Sequence, residues 1–349
     1  MNRAVYRIID ANFNRAREGL RIAEEFCRFA LENQPLAGRC KEIRHRLTSA
    51  VMKLDSQKLI SARDTENDIG CGMEVAGQMK RDSLEDCVTA GFARTTEALR
   101  TIAEAACAID SKFGGEFEKL RYDCYILEKD ISLQGYPALK FRKTRLYCII
   151  TVQGDIDALK IARDCAKGGA DCLQLRVKNL CDDEFLSLAR RFVDLCEQND
   201  VISIINDRAD IAAACDADGV HLGQNDLPAG EVRKIQLRPL ITGISTHSIS
   251  ELTKAVEQRP HYVGLGSVFP TSTKQVEVCG TEYVSKAVKF LEYKAVEAVA
   301  IGGITPENVE KVLKAGAKRI AVSSCVCQAK NPSDVCKKLK EIIIKYTGD

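Results

Sequence analysis

Several features that define other classes of protein are missing from this chain of 349 residues. No apolar run approaches the ~18 residues that a membrane-spanning helix needs, and the opening segment MNRAVYRIIDANFNRARE carries charges where a secretion signal has its apolar core. Neither sign of charge dominates, because 51 Lys+Arg against 49 Asp+Glu leave a net charge of +2. A polybasic nucleic-acid surface or membrane patch is therefore not indicated, and we expect a soluble cytoplasmic protein.

Paired metal-clamp cysteines are also lacking, although the chain contains 16 cysteines beside only four histidines. The cysteines are scattered from Cys27 to Cys336 and none forms a CxxC pair. The nearest approach, Cys325-Val-Cys327, has no histidine at clamp spacing. We therefore expect these residues to be small buried side chains kept reduced.

Proline is nearly absent from residues 1–134, where Pro35 is the only one. Apolar residues recur there at spacings of three and four, which is typical of amphipathic helices. The segment Gln134-Gly135-Tyr136-Pro137 then breaks the pattern. We predict an all-α domain over 1–134 and a linker over 135–144. One helical stripe consists of Phe13, Ala16, Leu20, Ala23, Cys27 and Ala30.

The helical part contains an internal duplication. Residues 10–29 (DANFNRAREGLRIAEEFCRF) align without gaps on residues 89–108 (TAGFARTTEALRTIAEAACA). This similarity predicts two related helical hairpins, connected by residues 55–80 with their polar run RDTEND. The matched pairs are Phe13/Phe92, Arg15/Arg94, Glu18/Glu97, Leu20/Leu99, Arg21/Arg100 and Glu25/Glu104.

The rest of the chain alternates short β-branched runs with helix-like stretches. Eight such units over 145–349 predict parallel strands and a (β/α)8 TIM barrel. A doubly wound open sheet is the alternative, although no GxGxxG follows the first strand. The predicted strands are 146–151, 172–176, 201–206, 219–222, 240–244, 262–266, 297–302 and 319–323.

Polar residues collect where these strands end, which is the catalytic face of such barrels. Taken singly, each has a plain interpretation as a rim charge, a turn residue or a helix cap. Their coincidence at successive strand ends favours a site. The set comprises Gln174, Arg176, Lys178, Asn206, Asp207, Asp226, Ser245, Thr271, Thr273, Lys274, Gly302, Gly303, Ser323 and Ser324. His221 is interpreted as a packed, hydrogen-bonded histidine and left out of catalysis.

The chemistry of this set points to two phosphate-bearing ligands. Its three cations can hold a pyrophosphate, with arginine as a planar fork and lysine as a point charge. Asp207 and Asp226 end adjacent strands and can share Mg²⁺, which takes one or two carboxylates together with substrate phosphate. The glycine and serine pairs after the last two strands match the position where backbone N–H groups bind a phosphate dianion.

The motifs QLRVK, NDR, DADGVHLGQND, GIS, PTSTK, IGGI and AGA…SS, in this order over roughly 145–345, resemble those of thiamine-phosphate synthases. The resemblance implies a Mg²⁺-dependent transferase of thiamine biosynthesis. Such an enzyme joins hydroxymethylpyrimidine diphosphate to hydroxyethylthiazole phosphate and releases pyrophosphate. Pyrophosphate leaves first, and the thiazole nitrogen then captures the pyrimidinylmethyl cation.

The resemblance also implies a role for each residue of the set. Arg176, Lys178, Ser245 and Lys274 act in catalysis, and a lone departure is Ser323, where an aliphatic residue is expected. A thiazole phosphate tautomerase is the alternative enzyme, although it has no pyrophosphate to stabilise. The pyrimidine diphosphate is contacted by Gln174, Arg176, Lys178, Asn206, Ser245 and Lys274, Mg²⁺ is held by Asp207 and Asp226, and the thiazole phosphate lies against Thr271, Thr273, Gly303, Ser323 and Ser324.

The first 134 residues contain no GxxxxGK[ST], so a P-loop nucleotide site is not indicated. DANFNRAREGLRIAEEFCRF, KEIRHRL and LISARDTENDIG resemble a helical domain found fused to thiamine-phosphate synthases. That domain is associated with an ATP-dependent hydroxymethylpyrimidine phosphate kinase, which would make the chain multifunctional. Alternatively, the repeated charges form helix-face ion pairs such as Arg15–Glu18 and Arg21–Glu25, and the domain is a scaffold or regulatory module. The candidate site residues are Asn12, Arg15, Glu18, Arg44, Arg63 and Asp64.

Overall fold

The computed structural model describes residues 2–73, 80–152, 157–236, 238–271, 277–292 and 294–348. The chain divides into two compact units, Met1–Gly135 and Tyr136–Asp349. Among the described residues, no helix is both long enough and apolar enough to span a bilayer.

The first unit is helical throughout its described elements. Side chains cap the starts of four helices, because Asn33, Asp55, Ser83 and Asp110 each accept a hydrogen bond from a backbone N–H of the first turn. The elements are α1 (Asn2–Glu25) with a π-helical turn (Phe26–Ala30), α2 (Gln34–Val51), α3 (Ser56–Ala62), α4 (Leu84–Cys107) and α5 (Ser111–Asp130) with a second π-helical turn (Ile131–Gly135).

The two duplicated segments lie in α1 and α4, which pack against each other. The predicted stripe faces this contact, since Ala16 and Leu20 are fully buried. A Cβ atom placed on Gly19 would overlap the carbonyl oxygen of Gly91, and one on Gly91 would lie 3.2 Å from the carbonyl oxygen of Gly19. Glycine at both positions therefore lets the two helix backbones touch.

The second unit is a closed barrel of eight parallel strands in the order β1 to β8. The predicted fold class and all eight predicted strands are confirmed. The strands are β1 (Leu146–Val152), β2 (Cys172–Val177), β3 (Ile202–Asn206), β4 (Gly219–Leu222), β5 (Ile241–Thr246), β6 (Tyr262–Leu265), β7 (Glu297–Ile301) and β8 (Ile320–Val322).

Helices follow the strands around the outside of the barrel. One apolar core lies between strands and helices, and alternate strand residues form a second core inside the barrel, as expected from the two-residue period of a strand. The helices are α7 (Ala158–Lys167), α8 (Asp182–Gln198), α9 (Ala209–Ala214), α10 (Ala229–Ile235), α11 (Ile249–Glu257), α12 (Gly280–Leu291), α13 (Val309–Lys314), α14 (Ser324–Cys327) and α15 (Pro332–Thr347).

A further helix, α6 (Tyr136–Arg142), occupies most of the range to which the sequence assigns a linker. Pro137 is the second residue of this helix, which directly follows the π-helical turn Ile131–Gly135. Phe141 is fully buried in the interior core and stacks on Tyr262, with 4.2 Å between ring centroids. This segment therefore closes the barrel interior, because it brings an aromatic side chain that the strands do not supply.

Candidate active site

A cavity of about 340 Å³ opens at the carboxyl ends of the strands. Its volume falls within the range of small-molecule sites. Most of the residues predicted from the sequence line it, although they come from distant parts of the chain. The predicted residues in its described lining are Gln174, Arg176, Asn206, Asp207, Asp226, Ser245, Thr271, Gly302, Gly303, Ser323 and Ser324.

Three predicted residues are not among this described lining. Lys178 is exposed, one residue past the end of β2, and is not part of the described lining. Thr273 and Lys274 lie outside the residues that the structure describes. The cations expected around a pyrophosphate are therefore represented in the lining by Arg176.

The guanidinium of Arg176 has a buried nitrogen that lacks a partner in the described part of the chain. Arg176 lies on β2 two residues after Gln174, so both side chains point to the same face of the strand. Its Nη1 atom is buried and has no hydrogen-bond partner among the described residues. A buried N–H of a charged group without a partner is costly. An anion in the cavity is the partner that this guanidinium fits.

Two carboxylates border the cavity at the ends of neighbouring strands. Asp207 follows β3 with a left-handed backbone (φ 64°), and its N–H donates to the carbonyl oxygen of His221 at 2.8 Å. Asp226 lies in the loop after β4, where its Oδ2 accepts the N–H of Gly223 at 2.6 Å. Oxygen donors of this kind are those that Mg²⁺ prefers.

The arginine that follows Asp207 is engaged elsewhere. The guanidinium of Arg208 binds Asp182 at 2.7 Å and Asp210 at 2.6 Å. Its hydrogen bonds lower the pKa of both carboxyls, so both remain ionised and keep it in place. The motif NDR therefore contributes Asn206 and Asp207 to the cavity, while its arginine stabilises the start of α9.

The glycine and serine pairs form the opposite part of the lining. Gly302 (φ 106°) and Gly303 (φ 60°) have left-handed backbones, and a Cβ on either would overlap residues 267–270. Only glycine fits there. Ser323 donates its hydroxyl to the carbonyl oxygen of Ile149 at 2.9 Å. The Ser323 hydroxyl is thus used in a hydrogen bond to β1, and its main chain is the part available to a ligand in the cavity.

His221 also lines the cavity and belongs to a line of hydrogen bonds that the sequence did not reveal. Its Nε2 lies 2.9 Å from Ser245 Oγ and its Nδ1 lies 3.0 Å from Tyr262 Oη. Tyr262 Oη lies 2.9 Å from Tyr147 Oη, which accepts from Gln174 Nε2 at 2.7 Å. We call these five residues the interior chain.

The interior chain depends on a glycine between its members. In the strand register, His221 on β4 pairs with Gly243 on β5, which pairs with Tyr262 on β6. A Cβ atom on Gly243 would overlap the Tyr262 ring. The missing side chain lets His221 and Tyr262 meet across β5. The sequence holds these residues, but only the register shows that they touch.

The structure also brings together three cysteines that are far apart in sequence. The sulfur atoms of Cys148, Cys165 and Cys336 lie within 4.8 Å of one another, and all three side chains are buried in the core between strands and helices. All 16 cysteines are free thiols. Sequence spacing gave no sign of this cluster, because it joins β1, α7 and α15.

The candidate residues of the helical unit fall into separate groups. Arg63 forms two hydrogen bonds with the Asp10 carboxylate, at 2.7 and 2.8 Å. Arg44 instead binds Glu24, at 2.9 Å, and Glu24 lies about 21 Å further along α1 at 1.5 Å per residue. The predicted residues therefore do not all converge on one point.

The remaining helical candidates differ in their partners. Asn12 donates to the carbonyl oxygen of Ile8 in its own helix at 2.8 Å. Asp64 accepts from Asn67 at 2.8 Å and also forms an ion pair with Arg3 of α1 at 3.2 Å. The Arg21–Glu25 ion pair is formed. Arg15 and Glu18 are exposed, and within the described part of the chain no ion pair joins them.

A closed (β/α)8 barrel has at the carboxyl ends of its strands two carboxylates and a buried guanidinium nitrogen without a partner among the described residues. These features define an enzyme that acts on phosphorylated small molecules. Residues 146–326 match the family model described as thiamine monophosphate synthase, and residues 7–130 match the ThiD2 family. The chain therefore belongs to the thiamine-phosphate synthase family and is a transferase of thiamine biosynthesis, with a ThiD2 domain at its N-terminus.

Full-length relatives and a solved structure agree with this assignment. The chain is 36% identical to a thiamine-phosphate synthase of Rhodopirellula baltica, with 98% of this chain and 93% of that protein covered. It is 38% identical to one of Nostoc sp., with 97% and 94% covered. A thiamine phosphate pyrophosphorylase structure from Pyrococcus furiosus is 35% identical with a TM-score of 0.54, and covers 59% of this chain and 98% of that one.

Proposed function

We propose that the barrel joins hydroxymethylpyrimidine diphosphate to hydroxyethylthiazole phosphate, giving thiamine phosphate and pyrophosphate. The observation that carries this proposal is the buried Nη1 of Arg176, which lacks a partner among the described residues and borders the cavity. A diphosphate supplies the anionic oxygens that this guanidinium needs, and arginine binds such groups with two parallel hydrogen bonds.

The reaction needs charge stabilisation more than a base. The bond between the pyrimidine methylene carbon and the diphosphate oxygen breaks, and its electron pair leaves with pyrophosphate. The lone pair of the thiazole nitrogen then forms the new C–N bond, so no proton has to move. Arg176 in the lining stabilises the charge that develops on the leaving group, and the proposal gives Lys178 and Lys274 the same role.

Asp207 and Asp226 are the residues that would hold Mg²⁺. Both line the cavity, both are oxygen donors, and the hydrogen bond from Gly223 orients Asp226. A bound Mg²⁺ neutralises part of the pyrophosphate charge. This assignment puts the acidic residues on the side of β3 and β4, next to Asn206, which contacts the pyrimidine diphosphate together with Gln174 and Ser245.

The thiazole phosphate lies on the other side of the cavity. The left-handed backbones at Gly302 and Gly303 and the main chain of Ser323 and Ser324 border the same space. Main-chain N–H groups bind phosphate without a counter-charge from the side chains. Thr271 and Thr273 complete this subsite in the proposal.

Removing the guanidinium tests the synthase proposal. With preformed pyrimidine diphosphate as substrate, we expect Arg176→Gln to lower kcat/KM about a hundredfold or more, since one preorganised donor to a developing anion is worth that much. Arg190→Gln, which alters an exposed arginine of α8, is the matched control and should keep wild-type activity. Equal activity of the two variants would show that the Arg176 guanidinium does not act on the leaving group, and would contradict the proposal.

We also propose that the helical unit phosphorylates hydroxymethylpyrimidine phosphate with ATP, which supplies the substrate of the barrel. The ThiD2 match over 7–130 supports this activity. The group around Arg63 and Asp10 is the better candidate site, because the Arg63 side chain is half-exposed while those of Arg44 and Glu24 are mostly buried. The scaffold alternative is favoured by the ion pairs that engage both arginines.

ATP turnover separates these two roles of the helical unit. In the kinase proposal, ADP forms only when hydroxymethylpyrimidine phosphate is present, and Arg63→Ala lowers that rate at least tenfold without changing the use of preformed diphosphate. Arg46→Ala serves as the control, because Arg46 pairs with Asp123 away from this group. If the wild type forms no ADP in response to hydroxymethylpyrimidine phosphate, the kinase proposal is wrong and the scaffold role is supported.

We place both activities in the cytoplasm. All 16 cysteines are unpaired thiols, including the exposed Cys71, Cys107 and Cys181. Such thiols persist in a reducing compartment.

A further inference from the structure

The interior chain connects two substrate-facing side chains through the middle of the barrel. Gln174 on β2 and Ser245 on β5 both line the cavity. Tyr147, Tyr262 and His221 lie between them, and the four contacts of the chain measure 2.7, 2.9, 3.0 and 2.9 Å. Each distance is that of a hydrogen bond, so the line is uninterrupted from one end to the other.

With His221 as a neutral imidazole, such a chain can run in two directions. A hydroxyl has one proton and a neutral imidazole has one N–H, so every member must donate in the same sense. Burial raises the pKa of Tyr147 and Tyr262 well above its usual value, so both phenols keep their protons. In one direction His221 donates from Nε2 to Ser245. In the other, Ser245 donates to His221 and presents only lone pairs to the cavity, while Tyr147 donates to Gln174, which requires the amide oxygen of Gln174 in place of its Nε2.

The charge of the ligand selects between the two directions, and this step rests on the proposed function. A pyrophosphate leaving group is an acceptor without donors, so lone pairs of Ser245 facing it would be repelled. In the first direction the Ser245 proton is free to donate to it. The same direction begins with Gln174 Nε2 donating to Tyr147, as observed. The Gln174 carbonyl oxygen is then left for an amino group of the pyrimidine.

We propose that His221 is a positioning residue, held by the interior chain as its Nε2–H tautomer so that Ser245 donates to the departing pyrophosphate. The surroundings of the chain fix its geometry. The His221 ring stacks on Tyr262 with ring centroids 5.5 Å apart. Phe141 also stacks on Tyr262, with ring centroids 4.2 Å apart. Gly243 leaves the room that these rings fill.

The tautomer can be measured directly. The chain has four histidines, so protein labelled with ¹⁵N-histidine gives few imidazole signals, and His221→Gln assigns the relevant one. In the wild type we expect the proton on Nε2. In Tyr262→Phe, where the donor to Nδ1 is lost, we expect a mixture of tautomers. Tyr147→Phe, which interrupts the chain one step further away, should shift the same signal if Tyr262→Phe fails to fold.

A matched variant controls for the loss of a buried phenol. Tyr283 is also buried, and its hydroxyl donates to Thr246 at 2.7 Å, outside the interior chain. Tyr283→Phe should leave the His221 tautomer unchanged. An Nδ1–H tautomer in the wild type, or an unchanged Nε2–H tautomer in Tyr262→Phe, would overturn the proposal. Both results are independent of turnover.

A double-mutant cycle tests the link to the reaction. With preformed pyrimidine diphosphate, Ser245→Ala should lower kcat about a hundredfold, since it removes a preorganised donor to the leaving group. Tyr262→Phe, which only weakens the orientation of that donor, should lower kcat about three- to tenfold. The double variant should stay within about twofold of Ser245→Ala, because both changes remove the same donation. Losses that multiply would overturn the link. A wild type without turnover would instead defeat the proposed function and leave the tautomer result standing.

Discussion

At the scale of single residues, the groups that line the cavity are held in fixed conformations by different kinds of contact. Arg176 is fixed by burial, Asp226 by a backbone N–H and Gly303 by a left-handed backbone that excludes a side chain. Preorganised groups of this kind stabilise developing charge without having to move during the reaction. Small changes at Arg176 and Asp226 should therefore affect turnover more than folding.

Asp207→Asn should make the enzyme demand more Mg²⁺. The amide keeps the size of the side chain and removes its charge, so the affinity for a hard divalent cation falls. We expect turnover to fall at least tenfold at limiting Mg²⁺ and to recover in part at high Mg²⁺, measured as thiamine phosphate formed from preformed diphosphate. Near-normal turnover at limiting Mg²⁺ would contradict the assignment of this carboxylate.

Ser323→Ala should change little, although Ser323 lies in the phosphate subsite. Its hydroxyl is used by the carbonyl oxygen of Ile149, not by the cavity. Losing one such hydrogen bond costs about 1 kcal/mol of stability, which thermal unfolding can detect. The KM for thiazole phosphate should remain within about twofold of the wild type. A large rise in that KM would show that the hydroxyl itself binds phosphate.

Lys274→Ala should lower kcat more than it raises the KM for thiazole phosphate. A cation that stabilises the leaving group acts in the transition state, and its loss appears in turnover. Steady-state kinetics with both substrates separate the two effects. A change confined to the KM for thiazole phosphate would contradict the role at the leaving group.

At the scale of elements, α6 is the part of the fold that most changes the view taken from the sequence. Its Phe141 fills the interior core below Tyr262. Phe141→Ala should lower the free energy of unfolding of the barrel by about 3–5 kcal/mol, because it leaves a cavity in a closed interior. Denaturant unfolding of the full chain measures this loss, with Phe290→Ala, an only partly buried side chain of α12, as the milder control.

The elements differ in how far their sequence determines them. The eight strands were predictable because each is a short β-branched run bounded by turn residues, and their carboxyl ends assemble the cavity wherever the barrel closes. Helix α6 was not predictable, because Gly135 and Pro137 are residue types that usually interrupt a helix. The contact of His221 with Tyr262 requires that Gly243, which lies between them, has no side chain. The strand register that puts these three residues side by side exists only in the folded sheet.

At the scale of the whole molecule, the chain carries two compact units and a family match on each. The barrel consumes a pyrimidine diphosphate, and the proposed activity of the helical unit produces it from the monophosphate and ATP. The two units thus account for consecutive steps on one pyrimidine. Neither step requires a membrane or a nucleic acid, in keeping with the small-molecule substrates of the family.

The reaction of the barrel is tested most directly by product stoichiometry. The purified full chain would receive preformed hydroxymethylpyrimidine diphosphate, thiazole phosphate and Mg²⁺ without ATP, and thiamine phosphate and pyrophosphate would be measured together. We predict that the two products form in equal amounts and that neither forms when thiazole phosphate is omitted. Absence of thiamine phosphate, or release of orthophosphate in place of pyrophosphate, would contradict the account.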